Sequence, residues 1–149
     1  MKLNFSNIFK YWSPVILWMS FIFWMSTDTF SAKHTSLIIE PILRFLMPEI
    51  SSQELDMIHG LIRKCGHVVE YFVLGLFLFR AFRASFIRSR IWYWVFPSII
   101  GVVLYAASDE FHQSFVSART ASIIDVGIDT TGGILSQIAC VFWCHCSKK

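Results

Sequence analysis

Lys64, His67, Glu70 and Tyr71 lie within eight residues at the start of one apolar stretch, and Asp109, Glu110, His112 and Gln113 close another. Arg119 follows in a short polar turn, and Asp125 and Asp129 enter a further apolar stretch. Carboxylates, imidazoles, a phenol and cationic side chains are the groups that move protons, hold cations and grip phosphate. Lys64, His67 and Tyr71 are three and four apart, a spacing that puts them on one helix face, with Glu70 beside them. Asp109, His112 and Gln113 form a similar stripe. Asp125, Asp129 and the Gly132–Gly133 pair share a face, with Asp129 about 6 Å deeper than Asp125 at 1.5 Å of rise per residue. Ionisable groups at such depth in an apolar segment face protein or water, not lipid.

Three kinds of chemistry fit this set. In a binding site, Lys64 and Arg119 contact phosphate or carboxylate, the arginine in bidentate fashion, while Glu70 and Asp109 orient them. In an enzyme, His67 or His112 is the general base and an acid orients its ring. A metal-dependent variant has His67, Glu70, His112 and Asp109 or Asp125 ligate a divalent cation such as zinc or manganese, which activates water. Ser108 or Ser114 would be the nucleophile of a hydrolase, but neither a G-x-S-x-G nor an H-E-x-x-H pattern accompanies them. A proton relay needs polar stations across the membrane, and the far halves of these segments offer only Ser136 and Gln137. The structural alternative is a self-neutralising network that holds helix ends together. Against it, the five carboxylates Glu70, Asp109, Glu110, Asp125 and Asp129 outnumber Lys64 and Arg119. Ser108, Gln113, Ser114, Ser117 and Thr120 also add more donors than pairing needs.

The elements that carry these residues follow from composition. The chain has 149 residues, of which 55% are hydrophobic, 17% aromatic and 15% charged. Soluble domains carry about 25% charged residues. Fifteen Phe and six Trp suit a lipid-facing surface with aromatic residues at its edges. The expectation is an all-α membrane protein, one domain over residues 1–149, with transmembrane helices at about 8–26, 64–82, 91–108 and 121–143. Between the first two, SLIIEPILRFLM and SSQELDMIHGLIRK read as short amphipathic helices, either on the membrane surface or packed as a hairpin on the bundle. Ser51 or Ser52 with Glu54 gives the second a capping-box start. Pro97 and Gly101 are candidate kink points.

Charge placement orients the chain. Lys2, Lys10, Arg80, Arg83, Arg88, Arg90, Lys148 and Lys149 stand without acids, while all ten acidic residues fall on the other side. Basic residues in short loops stay cytoplasmic, so both termini of this multi-pass inner-membrane protein are expected inside. Arg80 and Arg83 would extend toward head groups. Trp92, Tyr93 and Trp94 would form an interfacial belt. His34 and His59 would be solvated. Cys140, Cys144, His145 and Cys146 are zinc-type ligands, yet their spacing matches no usual finger, and they and Cys65 read as reduced thiols. No basic run suggests nucleic acid, and nothing here holds an attached soluble enzyme.

The motifs K-x-x-H-x-x-E-Y, at Lys64, His67, Glu70 and Tyr71, and S-D-E-F-H-Q-S-F-V-x-x-R-T-A-S-I-I-D-V, from Ser108 to Val126, resemble the VanZ-like family of bacterial membrane proteins. The spacing onward to Asp129, Thr130 and Gly132–Gly133 fits as well, and the resemblance spans most of the chain, about residues 12–143. It departs at Asp129, where Asn is frequent, and at Ala118, where Gly is usual. The resemblance implies a cell-envelope role linked to antibiotic resistance of the lipoglycopeptide (teicoplanin) type. It marks Lys64, His67, Glu70, Asp109, Glu110, His112, Gln113, Arg119 and Asp125 as the polar signature. The partners expected are a membrane lipid or lipid-linked cell-wall precursor, or a lipoglycopeptide directly. The alternative is a membrane-embedded, metal-dependent hydrolase or transferase acting on such a lipid.

Overall fold

A computed structural model describes residues 5–27, 32–86, 90–116 and 122–147, with side chains from 9 and 35 onward in the first two stretches. The described residues form five helices: α1 (Phe5–Met25), α2 (Ala32–Leu46), α3 (Ser52–Ser85), α4 (Trp92–Gln113) and α5 (Ile123–Cys146). The expected all-helical class holds. Among the described residues, α3 and α4 are long and apolar enough to cross a membrane, with mean hydropathy 1.5 and 1.2 over their best windows.

One expectation is corrected at α3. The second amphipathic helix is not a separate surface element but the first half of a single 34-residue helix that continues into the apolar segment. No proline interrupts the sequence between Ser52 and Ser85, and Gly60 and Gly66 face open space, so nothing forces a break. The capping box is present: Ser51 Oγ accepts from the Glu54 N–H at 3.3 Å and Glu54 Oε2 accepts from the Ser51 N–H at 2.9 Å. α2 is the short amphipathic element that remains, and it packs on α3. Pro97 lies in the second turn of α4, which continues to Gln113 rather than stopping near Ser108.

α3 is the hub, packing against α1, α2, α4 and α5. Its interface with α5 is the most extensive, and those two helices run parallel. Three contacts keep one register: His67 to Asp129 at 3.2 Å, Gln137 Nε2 to the Gly75 carbonyl at 3.0 Å, and Arg83 to the Cys144 sulfur at 3.8 Å. α4 runs antiparallel to both, so the order is up, down, up, down for α1, α3, α4 and α5. The close approach depends on small residues. A Cβ on Gly132 would collide with the Val68 carbonyl of α3, and one on Gly75 with the Ser136 hydroxyl. Gly133, one residue on, lies against Val102 of α4. Adjacent glycines thus let α5 meet two helices at once. Tyr71, Leu74, Leu78, Val102 and Ala106 form the core with Val15 and Ile22 of α1. The outward faces carry large apolar side chains, among them Leu17, Phe23, Phe96, Leu104, Ile138 and Phe142.

Candidate functional site

The polar residues gather at the end of the bundle where α1 and α4 finish and α5 begins. Asp109 is the centre of the first group. Its Oδ2 accepts from Ser26 Oγ, one residue past α1, at 2.9 Å, from Gln113 Nε2 at 3.0 Å and from the Tyr71 hydroxyl of α3 at 3.4 Å. Gln113 also reaches Ser26 Oγ at 3.4 Å. All four side chains are buried. The helical spacing from Asp109 to Gln113 aims both inward, and Ser26 arrives directly after the last turn of α1. Three donors on one oxygen compensate a buried carboxylate, while Oδ1 has no hydrogen-bond partner among the described residues.

His67 and Asp129 form the second group. Asp129 is fully buried, and its Oδ1 is 3.2 Å from His67 Nδ1. Asp129, Gly132, Gly133, Ser136, Gln137 and Cys140 make the buried stripe of α5, the three-and-four repeat of one helix face. Asp125 is half-buried at the mouth of the same stripe. Glu110 does different work. Its Oε2 accepts from the Ser122 N–H at 2.8 Å, and Ser122 is the N-cap of α5, accepting from the Ile124 N–H at 3.1 Å. A carboxylate there joins the end of α4 to the positive end of the α5 dipole.

Two clefts adjoin these groups. One, of about 140 Å³, lies between the end of α1, α2 and α3 and includes Ser26, Thr35, His59, Arg63, His67 and Glu70. The other, of about 10 Å³, is bordered by Arg63, Lys64, His67, Gln113, Asp125 and Asp129. The second holds roughly one water molecule. His67 and Arg63 border both.

The structure therefore brings together His67, Tyr71, Asp109, Gln113 and Asp129 in the interior, with Lys64 and Asp125 at the rim of the smaller cleft and Glu70 at the larger. His112 is directed elsewhere: its ring packs on Phe23 with centroids 4.3 Å apart. Arg119, Ser117 and Thr120 lie outside the described residues. Among the described residues no three His, Cys, Asp or Glu side chains are arranged to hold a metal ion. Of the expected ligands, His67 engages Asp129, Asp109 accepts three neutral donors on one oxygen, and His112 packs on Phe23. The two candidate serine nucleophiles have their hydroxyls turned to their own helix. Ser108 and Ser114 are exposed, and their hydroxyls donate to the Tyr105 and Phe111 carbonyls of their own helix at 2.8 and 2.6 Å. Among the described residues Lys64 joins no ion pair, while His67 and Asp129 meet within salt-bridge distance.

Sequence reasoning passed over three contributors. Ser26 is an ordinary serine at a helix end, and only the fold puts it on Asp109. Arg63 read as the tail of a surface helix. His59 was expected to be solvated, but it is buried, with Nε2 3.0 Å from Thr35 Oγ1 of α2. Its burial follows from the α3 correction: a continuous helix carries His59 under α2. Neither a curated protein nor a solved structure matches the chain. The VanZ/LLP1 family model matches residues 11–144, from the first helix through the polar cluster to the end of the last, and the chain is accordingly a member of the VanZ/LLP1 family.

Proposed function

We propose that this protein crosses the cytoplasmic membrane four times, through α1, α3, α4 and α5, with both termini in the cytoplasm. Its polar cluster then opens at the outer leaflet and binds the anionic head group of a lipid-linked cell-wall precursor or a lipoglycopeptide. The α1 and α5 lengths of 21 and 24 residues support four crossings. A hydrocarbon core needs about 17–25 helical residues. The absence of acids beside Lys10, Arg80, Arg83 and Arg90 supports the orientation.

The observation that carries the binding reading is the position of His67. Buried Asp129 holds the ring, which borders two clefts whose shared rim supplies Arg63, with Lys64 at the smaller one. A preorganised imidazole beside two cations suits phosphate or carboxylate. Met25, Ile39 and Ile62 line the larger cleft and suit the apolar part of an amphiphile. Lys64, His67, Glu70, Tyr71, Asp109, Gln113, Asp125 and Asp129 are the proposed site, with Arg119, between α4 and α5 in the sequence, as a further contact.

Native mass spectrometry of the detergent-purified protein tests this. The expected result is a co-purified anionic amphiphile that is lost in Arg63→Gln and Lys64→Gln proteins of unchanged helicity. Equal retention by wild type and both variants would overturn it. The enzymatic alternative rests on the same pair, because a carboxylate on Nδ1 leaves Nε2 as the nitrogen for proton transfer. It predicts a changed mass for the bound lipid, absent in His67→Ala.

A further inference from the structure

A third cavity, of about 730 Å³, lies at the opposite end of the bundle from His67 and Asp129. Arg83, Arg90, Trp92, Trp94, Trp143 and His145 are among its walls. α3 has no acid after Glu70, α4 none before Asp109 and α5 none after Asp129, so no carboxylate of these helices accompanies the two arginines. Among the described residues neither arginine makes an ion pair. The Arg83 guanidinium lies over the Trp94 ring, 5.6 Å from its centroid, and Nη1 donates to Cys144 Sγ at 3.8 Å. A thiol is a weak acceptor, and a guanidinium has five N–H donors.

Helix ends do not balance this charge. The C-termini of α3 and α5 each present about half a negative charge, and the N-terminus of α4 about half a positive one. The sum is smaller than the two guanidinium charges. That α4 end also has no side-chain cap, since Ile91 makes no capping bond. Independently, Trp94 Nε1 is buried with no acceptor among the described residues. An indole N–H can only donate. Two cations on a cavity wall call for an oxyanion, a tryptophan of the same wall carries an unmet donor, and the indole walls add an apolar border.

We propose that this cavity is a binding site for a phosphate group carried by an acidic membrane phospholipid. Arg83 and Arg90 grip the phosphate oxygens, and Trp94 Nε1 donates a further hydrogen bond. The site is separate from the His67 cluster, and only its lipid source rests on the membrane-crossing reading.

The test is a titration of delipidated, detergent-solubilised protein with phosphatidylglycerol, read by native mass spectrometry, with phosphatidylcholine in parallel. Wild type is expected to bind one phosphatidylglycerol in preference to phosphatidylcholine. The Arg83→Gln/Arg90→Gln protein should bind it about tenfold more weakly, from loss of two charge-assisted contacts. Trp94→Phe keeps an aromatic side chain without the N–H and should weaken binding about threefold, from loss of one neutral hydrogen bond. Arg44→Gln, an exposed cation outside both sites, should leave this binding unchanged, which separates a local contact from a general loss of positive charge. Displacement of the lipid by millimolar inorganic phosphate would assign the site to free phosphate, and resistance to it would assign the lipid head group. Wild-type affinity in Trp94→Phe, or in a folded double variant, would overturn the proposal, as would equal binding of the zwitterionic lipid.

Discussion

Ser26, one residue past α1, and Asp109 on α4 stand 83 positions apart and share a buried hydrogen bond of 2.9 Å. The Tyr105 hydroxyl adds a polar link from α4 to α1 itself, donating to the Met19 carbonyl at 2.5 Å. α1 otherwise packs on α3, largely through aromatic side chains such as Trp18 against Phe77. The position of α1 against the site is thus set by polar contacts, not by apolar burial alone.

Removing one partner of a buried hydrogen bond leaves the other unmet, at a cost of about 1–3 kcal/mol. Ser26→Ala should lower stability within that range. Asp109→Leu removes the acceptor from Ser26, Tyr71 and Gln113 together and should cost more. A double-mutant cycle between Ser26→Ala and Asp109→Asn, read by thermal melts in detergent, should show coupling of about 1 kcal/mol. Strict additivity would remove Ser26 from the site.

His67→Ala leaves Asp129 buried without its partner. Removing one partner of a buried hydrogen bond costs about 1–3 kcal/mol, and more where the stranded group is charged. The His67→Ala/Asp129→Ala protein should be more stable than His67→Ala, because the stranded carboxylate is gone as well. If His67→Ala melts like wild type, the 3.2 Å contact is not a structural bond.

Gly132→Ala places a methyl group against the Val68 backbone, which cannot rotate away as a side chain could. Overpacking of this kind costs about 1–3 kcal/mol or more. Gly127→Ala on the same helix meets nothing within 4 Å. It should be neutral or stabilising by up to about 1 kcal/mol through helix propensity. Reversed melting temperatures for these variants would contradict the close α3–α5 approach.

Glu54 lies at the exposed start of α3, outside the apolar segment. Its carboxylate accepts from the Ser51 N–H and hydroxyl, which holds its pKa below the ordinary carboxylate value. A depressed folded-state pKa contributes stability that is present above the unfolded value and lost as pH falls through the folded one. Amide protection in the first turn of α3 should therefore fall as pH drops below the ordinary carboxylate range. Glu54→Gln should flatten that dependence, and an unchanged profile would argue against the capping box.

Ser108 and Ser114 point away from the polar interior and are satisfied by their own helix. Alanine at either position should leave lipid retention and stability unchanged. A selective loss of function in either variant would restore a nucleophilic serine to consideration.

Periodicity and composition carry much of this protein on their own. Local spacing is enough to put Asp109 and Gln113 on one stripe, and Asp129, Gly132 and Gly133 on another, because a helix repeats regardless of its neighbours. The capping box at Ser51 and Glu54 is likewise a property of four consecutive residues. The motifs around His67 and from Ser108 to Val126 were sufficient to indicate the family.

Tertiary structure decided which stripes face each other and which side chains find partners. Nothing in the spacing of Asp129 selects His67 over His112; the parallel register of α3 and α5, made possible by Gly132 against the Val68 backbone, does. Phe23 claims His112, Ser26 completes Asp109, and α2 buries His59. Even the length of α3 turned on context, because an amphipathic helix followed by an apolar one has no local signal saying whether the chain bends between them. Helical phase is short-range, whereas hydrogen-bond pairing across a bundle depends on register, crossing and depth, which arise only when the helices pack.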